Sequence, residues 1–274
     1  ENQEESMDLI KDLYRKGLTP INITVDDKGK QSQALVFPWA IATYDNKEVS
    51  IPLLKNQMGA STTQKVIGSV QHLEYSFSDA FNKITKAKQK KVAIIKGNGE
   101  LKEAFIAKFL LQVRDSYFIA PFTLDSVAKN PEGSLQALKE YDLAVIAKPS
   151  EAFSESEKQV LDQYLMNGGK TIWLVDQVVA EIDSLYNPSG ASLAYPRDLN
   201  INDLFFKYGI RINPEIVKDE QGSPIQLASG EPGSATRFQQ FNWKYAPLVT
   251  PISTHPIVKN LGGIKFDFAN SIDT

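Results

Sequence analysis

No cysteine occurs in the 274 residues. That excludes disulfides, thiolate nucleophiles, iron–sulfur clusters and zinc–thiolate sites in one step. It leaves the compartment open, because a chain without thiols suits either redox environment. Histidine is almost as scarce: His72 and His255 stand alone, so no His-x-x-His or His-Glu-x-x-His pattern exists. No stretch approaches 18 consecutive apolar residues, so we expect no membrane-spanning helix in the sequence as given. Neither sign of charge dominates. Lys and Arg number 30 against 33 Asp and Glu, a net charge of −3, and this lacks the basic excess of a nucleic-acid binder. The start, Glu1-Asn2-Gln3-Glu4-Glu5, is acidic where a secretory leader is basic, and it has no initiator Met. The end stops just after the strand-like Phe266-Asp267-Phe268. We read the chain as a fragment of something longer.

What is present is an ordinary globular composition, 42% hydrophobic and 23% charged, which argues against wholesale disorder. Residues 4–16 carry Leu9, Ile10, Leu13 and Tyr14 at helical spacing, with Gly17 to end the helix. Asp26-Asp27-Lys28-Gly29 reads as a turn, and runs at 34–42 and 48–54 flank Asp45-Asn46 as a hairpin. Residues 61–86 predict the longest helix, with Ser61 as N-cap and Gln64 completing a capping box. Val66, Val70, Leu73, Phe77, Ala80 and Ile84 form a heptad-like seam along it. We expect that seam to be buried within the chain. The alternative is a partner-binding surface through Val66, Val70, Leu73 and Phe77. Lysines at 83, 86, 88, 90 and 91 suit the helix end and the linker that follows.

From residue 91 apolar runs alternate with helix-length connections. The runs are Val92–Ile95, Tyr117–Phe122, Leu143–Ala147 and Thr171–Val175, with helices expected over about 100–113, 133–140 and from the Ser154-x-x-Glu157 cap to Gly168-Gly169. Unbroken apolar runs are strands buried on both faces, and this alternation predicts right-handed crossovers and a doubly wound, mostly parallel α/β sheet. We therefore divide the chain into residues 1–90, comprising a helix, a hairpin and a long helix, and an α/β domain over 91–274. Beyond Asp176 we expect a surface loop at 186–198, a helix at 201–208, short strands at Ile216-Val217, Pro247–Ile252 and Ile264–Phe268, and a mobile Gly/Pro/Ser/Gln-rich loop near 219–240.

Candidate chemistry sits where doubly wound sheets bind ligands, beyond the carboxyl ends of the strands. Gly97-Asn98-Gly99-Glu100 is a strand-to-helix turn. Lys102 stands where a dinucleotide fingerprint needs its third glycine, and no Gly-Lys-Ser/Thr follows, so a plain tight turn outweighs a phosphate site. Asn98, Glu100 and Asp176 are the candidate ligand-binding set, with Lys148 and Ser150 beside them. Glu100 and Asp176 are also the residues an acid–base mechanism would use, although capping and turn formation explain them more simply. Ser150 lacks the flanking glycines of a nucleophile elbow. We expect no catalysis, no metal and no cofactor.

Several stretches in order carry a family resemblance: Val36-Phe37-Pro38-Trp39-Ala40, His72-Leu73-Glu74-Tyr75-Ser76-Phe77, Val92–Leu101, Tyr164–Asp176, Lys207–Asn213, His255–Leu261 and Ser271-Ile272-Asp273-Thr274. They resemble the auxiliary component of the gliding-motility-associated ABC transporter, the GldG family, from about residue 10 onward. The resemblance implies a bacterial inner-membrane protein with this chain as part of its extracytoplasmic, periplasmic region. It also implies permease and ATPase partners and a role in surface gliding. The α/β core resembles class I glutamine amidotransferase-like and flavodoxin-like domains; the Cys-His-Glu triad of the former cannot exist here without cysteine. The reading that follows is a non-enzymatic ectodomain that binds protein or envelope material. Alternatives are a small-ligand or glycan receptor using the strand-end cleft, or a hydrolase using Ser150 or Glu100 and Asp176.

Overall fold

The computed structural model describes residues 3–27, 30–55, 62–185, 187, 189–229, 237–251, 254–258 and 263–274. The chain separates into two compact units, Glu1–Lys88 and Gln89–Thr274.

In the first unit, α1 (Gln3–Arg15) precedes two hairpins. Strands β1 (Ile21–Asp27) and β2 (Lys30–Val36) pair antiparallel, as do β3 (Trp39–Tyr44) and β4 (Lys47–Pro52). The apolar run expected at 34–42 is therefore split between the hairpins, because Pro38 cannot donate to a ladder. Residues 28 and 29 of the first turn lie outside the described residues. Asp45 and Asn46 turn the second hairpin with φ of +46° and +58°, the left-handed pair of a type I′ turn that Asp and Asn tolerate.

Helix α2 (Thr62–Thr85) packs on β3 and β4; Ser61, its expected cap, lies outside the described residues. The buried face is centred on small residues, Ser69, Ser76 and Ala80, with Ile84. Ser69 Oγ accepts the Lys55 amide at 2.7 Å and donates to the Lys65 carbonyl. The seam differs from expectation: Val66 and Val70 are 51% and 63% exposed, and Leu73 and Phe77 are half-buried. Two physical reasons account for this. A 24-residue helix is about 36 Å long, against about 20 Å for six-residue strands, so the hairpin cannot cover it. The helix also turns its small residues to the hairpin, which lets the backbones approach and leaves the flank with Val66 and Val70 in solvent.

The second unit is built on four parallel strands in the order β6-β5-β7-β8: β5 (Lys91–Lys96), β6 (Phe118–Thr123), β7 (Leu143–Ala147) and β8 (Lys170–Leu174). The connections are α3 (Glu103–Ser116), α4 (Pro131–Leu138) and α5 (Glu155–Met166). The parallel sheet flanked by helices is as expected. Pairing between β5 and β7 is in register, Ile94 opposite Val145, and is not a hairpin.

Strand parity sorts the core into two layers. Ala93, Ile95, Ala144 and Ile146 face α4 and α5, packing with Leu138, Val160, Leu161 and Tyr164. Val92, Ile94 and Val145 face α3, packing with Ile106, Leu110 and Val113. The caps are local. Asn130 Oδ1 accepts from Gly133 N, Pro131 sits in the first turn of α4, and Ser154 and Glu157 close the capping box of α5. Lys158, buried on α5, holds Glu155, Asn200 and Asp203 with its ammonium and so ties α5 to α6 (Asn202–Lys207).

After β8 the chain forms small antiparallel pairs. These are β9 (Val178–Val179) with β10 (Tyr195–Pro196), β11 (Arg211–Ile212) with β16 (Ile272–Asp273), β12 (Pro224–Ser229) with β13 (Arg237–Asn242), and β14 (Leu248–Val249) with β15 (Ile264–Lys265). The hairpin of β12 and β13 takes up residues 224–229 and 237–240 of the loop expected near 219–240; residues 230–236 lie outside the described set. Gly, Ser and Gln dominate the composition there, but alternation in Ile225-Gln226-Leu227 is enough for a strand with one face in water. Ile216-Val217 is not a strand.

Candidate functional site

The strand carboxyl ends carry the residues singled out from sequence, and each is bound into the protein itself. Beyond β5, Gly97 and Gly99 adopt φ of +127° and +69°. A Cβ on Gly99 would overlap Ser150 Oγ, so only glycine fits that turn. The loop after β7 lies directly on it. Ser150 N and Glu151 N donate to the Asn98 carbonyl at 2.9 and 3.0 Å, and Ser150 Oγ donates to the Gly99 carbonyl at 2.9 Å. An anion cradle needs inward N–H groups. Here the turn offers carbonyls, and they are already satisfied.

Asn98 is buried. Its Nδ2 donates to Glu157 Oε2 and the Ala152 carbonyl at 3.3 and 3.4 Å, and its backbone N–H donates to Glu100 Oε2 at 3.0 Å. Asn98 Oδ1 and Glu100 Oε1 are buried without a hydrogen-bond partner. Burial pushes the Glu100 carboxyl above its ordinary value, against the lowering effect of backbone N–H donors.

Asp176 belongs to a different group. Lys148 Nζ lies 3.3 Å from Asp176 Oδ2 and 2.7 Å from Glu181 Oε1. Burial alone would lower the ammonium's proton affinity, but Glu181 and Asp176 more than offset it, so Lys148 is held above its ordinary value. Hydrogen bonds thus bring Asn98, Glu100 and Ser150 together, while Asp176 forms an ion pair apart from them.

Ser150 makes no hydrogen bond to a base. A serine nucleophile must give its proton to a base, and Ser150 gives it to a carbonyl. His255 Nδ1 accepts from the Ile257 amide at 3.2 Å. Among the described residues no group of three or more His, Cys, Asp or Glu could hold a metal.

The feature that sequence reasoning missed lies on the α3 side of the sheet. Helix α3 packs with residues of β5, β6 and β7, while both α4 and α5 cross on the opposite side. On the α3 side only the edge strand β8 is left open, since Val145 of β7 is buried. A groove of about 760 Å³ runs there, floored by Leu143, Val145 and Ile172 and walled by Phe109 and Val113 of α3. Ile172 and Leu174, which share this face of β8, are 42% and 53% exposed. Phe105, one turn from Phe109 on α3, is 76% exposed. Lys90, Lys139, Lys170 and Asp142 stand at the rim near the amino ends of the strands. The signal in the sequence was the apolar parity of Ile172 and Leu174. It becomes informative only once strand order fixes which side each helix takes.

The family described as "ABC-type uncharacterized transport system" matches the chain over residues 89–274. No curated protein matches it. Among solved structures, the chain is similar to "mmIFT52 N-terminal domain", with 15% identity, a TM-score of 0.42, and coverage of 67% of this chain and 68% of that one.

Proposed function

The chain belongs to the family of auxiliary components of ABC-type transport systems through residues 89–274, and from that premise we propose that it serves its transporter by docking a protein subunit, without catalysis of its own. The observation that carries this reading is the open apolar face of β8, with Ile172 and Leu174 in solvent. In a protein of this size such a surface costs solubility unless something covers it, and Ser150, Lys148 and Asp176 at the strand ends are spent on internal bonds.

The finer placement follows the resemblance noted above: a periplasmic ectodomain of the gliding-motility transporter, with the permease or ATPase assembly as partner. Among the described residues no helix is long and apolar enough to cross a membrane. The sheet order, with its switch between β5 and β7, supports a flavodoxin-like reading of the second unit. The exposed flank of α2 at Val66 and Val70, with Leu73 and Phe77 at its border, is a further candidate for partner contact.

The test is co-purification of tagged chain with the co-expressed permease and ATPase. Ile172→Glu combined with Leu174→Glu places carboxylates on the exposed face without touching the buried layer. The double variant is expected to melt like the parent and to lose the subunits. Retention of the subunits by the folded double variant would refute docking through this face.

A further inference from the structure

The two outer strands of the parallel sheet present their free edges differently. In a ladder the N–H and C=O of one residue point to the same side, and successive residues alternate. Phe118 N donates to the Lys90 carbonyl and Leu124 N to the Lys96 carbonyl. The even-numbered residues of β6 therefore bond to β5, and Ile119, Pro121 and Thr123 turn their backbone groups outward. Pro121 has no N–H to offer there, one of the ways a sheet edge is closed to further strands. At the other edge Lys148 N donates to the Leu174 carbonyl at 2.7 Å. Lys170, Ile172 and Leu174 thus bond to β7, while Thr171 and Trp173 turn outward. Among the described residues β8 pairs with β7 alone, and the outward N–H and C=O groups of Thr171 and Trp173 meet no partner. This edge carries no proline, and beside it Ile172 and Leu174 stand in solvent.

We propose that β8 pairs antiparallel with β8 of a second copy of this chain, joining the two four-stranded sheets edge to edge. The stretch Lys170-Thr171-Ile172-Trp173-Leu174-Val175-Asp176 is its own complement about Trp173. A two-fold axis there lets Trp173 and its counterpart exchange both backbone hydrogen bonds, and it pairs Thr171 with Val175 of the second copy in the same way. Ile172 then lies across from Leu174 of the second copy, twice over, at the close spacing of a non-hydrogen-bonded pair. Four exposed apolar side chains become one cluster. Lys170 comes opposite Asp176 of the second copy, where it joins the charge that Asp176 shares with Lys148 at 3.3 Å. An axis on Ile172 instead would set Lys170 against Leu174 and forgo that charge pair. The inference goes beyond the docking reading and leaves it standing, because the ladder uses the edge of β8 and docking uses its α3 side.

With no cysteine in the chain, the register can be read by disulfide formation. Ile172→Cys and Leu174→Cys are made as separate variants and mixed. Under mild oxidation the mixture should form covalent dimers about tenfold faster than either variant alone, because only the mixed pair faces across the ladder. Sedimentation of the full chain from about 1 to about 300 µM should show a concentration-dependent dimer, at the weak end expected of a short interface. Thr171→Pro removes one outward N–H, as Pro121 does on β6, and spares the bonds to β7. This variant should keep a cooperative melt and sediment as a monomer throughout. If it fails to fold, the cysteine mixture decides alone.

The proposal is overturned by a parent that stays monomeric over that range, or by a folded Thr171→Pro variant that dimerises as well as the parent. Ile172→Cys alone cross-linking as fast as the mixture would also overturn it, since the axis would then lie elsewhere. So would a monomeric parent whose Thr171→Pro variant loses the co-purified permease and ATPase, which gives the edge to a strand of a subunit. A monomeric parent that loses those subunits only through Ile172→Glu with Leu174→Glu would reject self-pairing and keep the docking reading. A dimeric parent whose co-purification is unchanged in that double variant would keep self-pairing and reject docking through this face.

Discussion

At Gly99 the backbone and a neighbouring side chain compete for one space. The residue holds φ at +69°, and a Cβ there would run into Ser150 Oγ. Gly99→Ala should therefore lose about 1–3 kcal/mol in urea unfolding through left-handed strain and the displaced Ser150. A loss within experimental error would show that the turn is not fixed as described.

One residue along, Glu100 carries a carboxyl raised above its ordinary value by burial, and one of its oxygens has no partner. A carboxyl raised on folding favours the folded state fully below its unfolded value. That contribution is lost as pH rises through the raised value. Glu100→Gln keeps an acceptor for the Asn98 amide and removes the buried charge. It should melt above the parent at pH 7, and the gap should close as pH falls below about 4.3. Thermal melts at the two pH values check this. A gap that is independent of pH would mean that Glu100 is not held against its charge.

Among the elements, α2 shows how a periodic seam and a packed face come apart. Ile84 is buried and Val70 is in solvent, although both belong to the same heptad-like series. Ile84→Ala should cost about 2–4 kcal/mol, while Val70→Ala should stay within about 0.5 kcal/mol in chemical denaturation. Equal losses would restore a fully buried seam. Heptad spacing was legible because apolar residues recur every three or four positions. Of the small residues that bring the helix onto β3 and β4, Ala80 belongs to the seam, but Ser69 and Ser76 carry no apolar signal of their own.

The four parallel strands were legible for the converse reason. Val92–Ile95 and Leu143–Ala147 are apolar at every position, and only a strand covered on both sides needs that. The hairpin of β12 and β13 was hidden because a strand with one wet face can be half Gln and Ser. The polar candidates at the strand ends were placed correctly as to element. Their bonds were not legible, because Ser150 meets Gly99 only through the loop packing after β7.

For the whole molecule, the arrangement of crossovers matters more than any single residue. An order of β6-β5-β7-β8 with right-handed connections sends one helix to one side of the sheet and two to the other. The thin side exposes the groove that we assign to docking, and the membership of residues 89–274 in an ABC transport auxiliary family gives that groove a context.

The absence of cysteine supplies a direct measurement. A single cysteine introduced at Ile172, on the open face, can be cross-linked in membranes that contain the co-expressed permease and ATPase. A cysteine at Gln136, exposed on α4 on the opposite side, serves as control. Docking through the open face predicts a cross-link to a transporter subunit from position 172 and little from position 136. Equal cross-linking from both, or from position 136 alone, would contradict it.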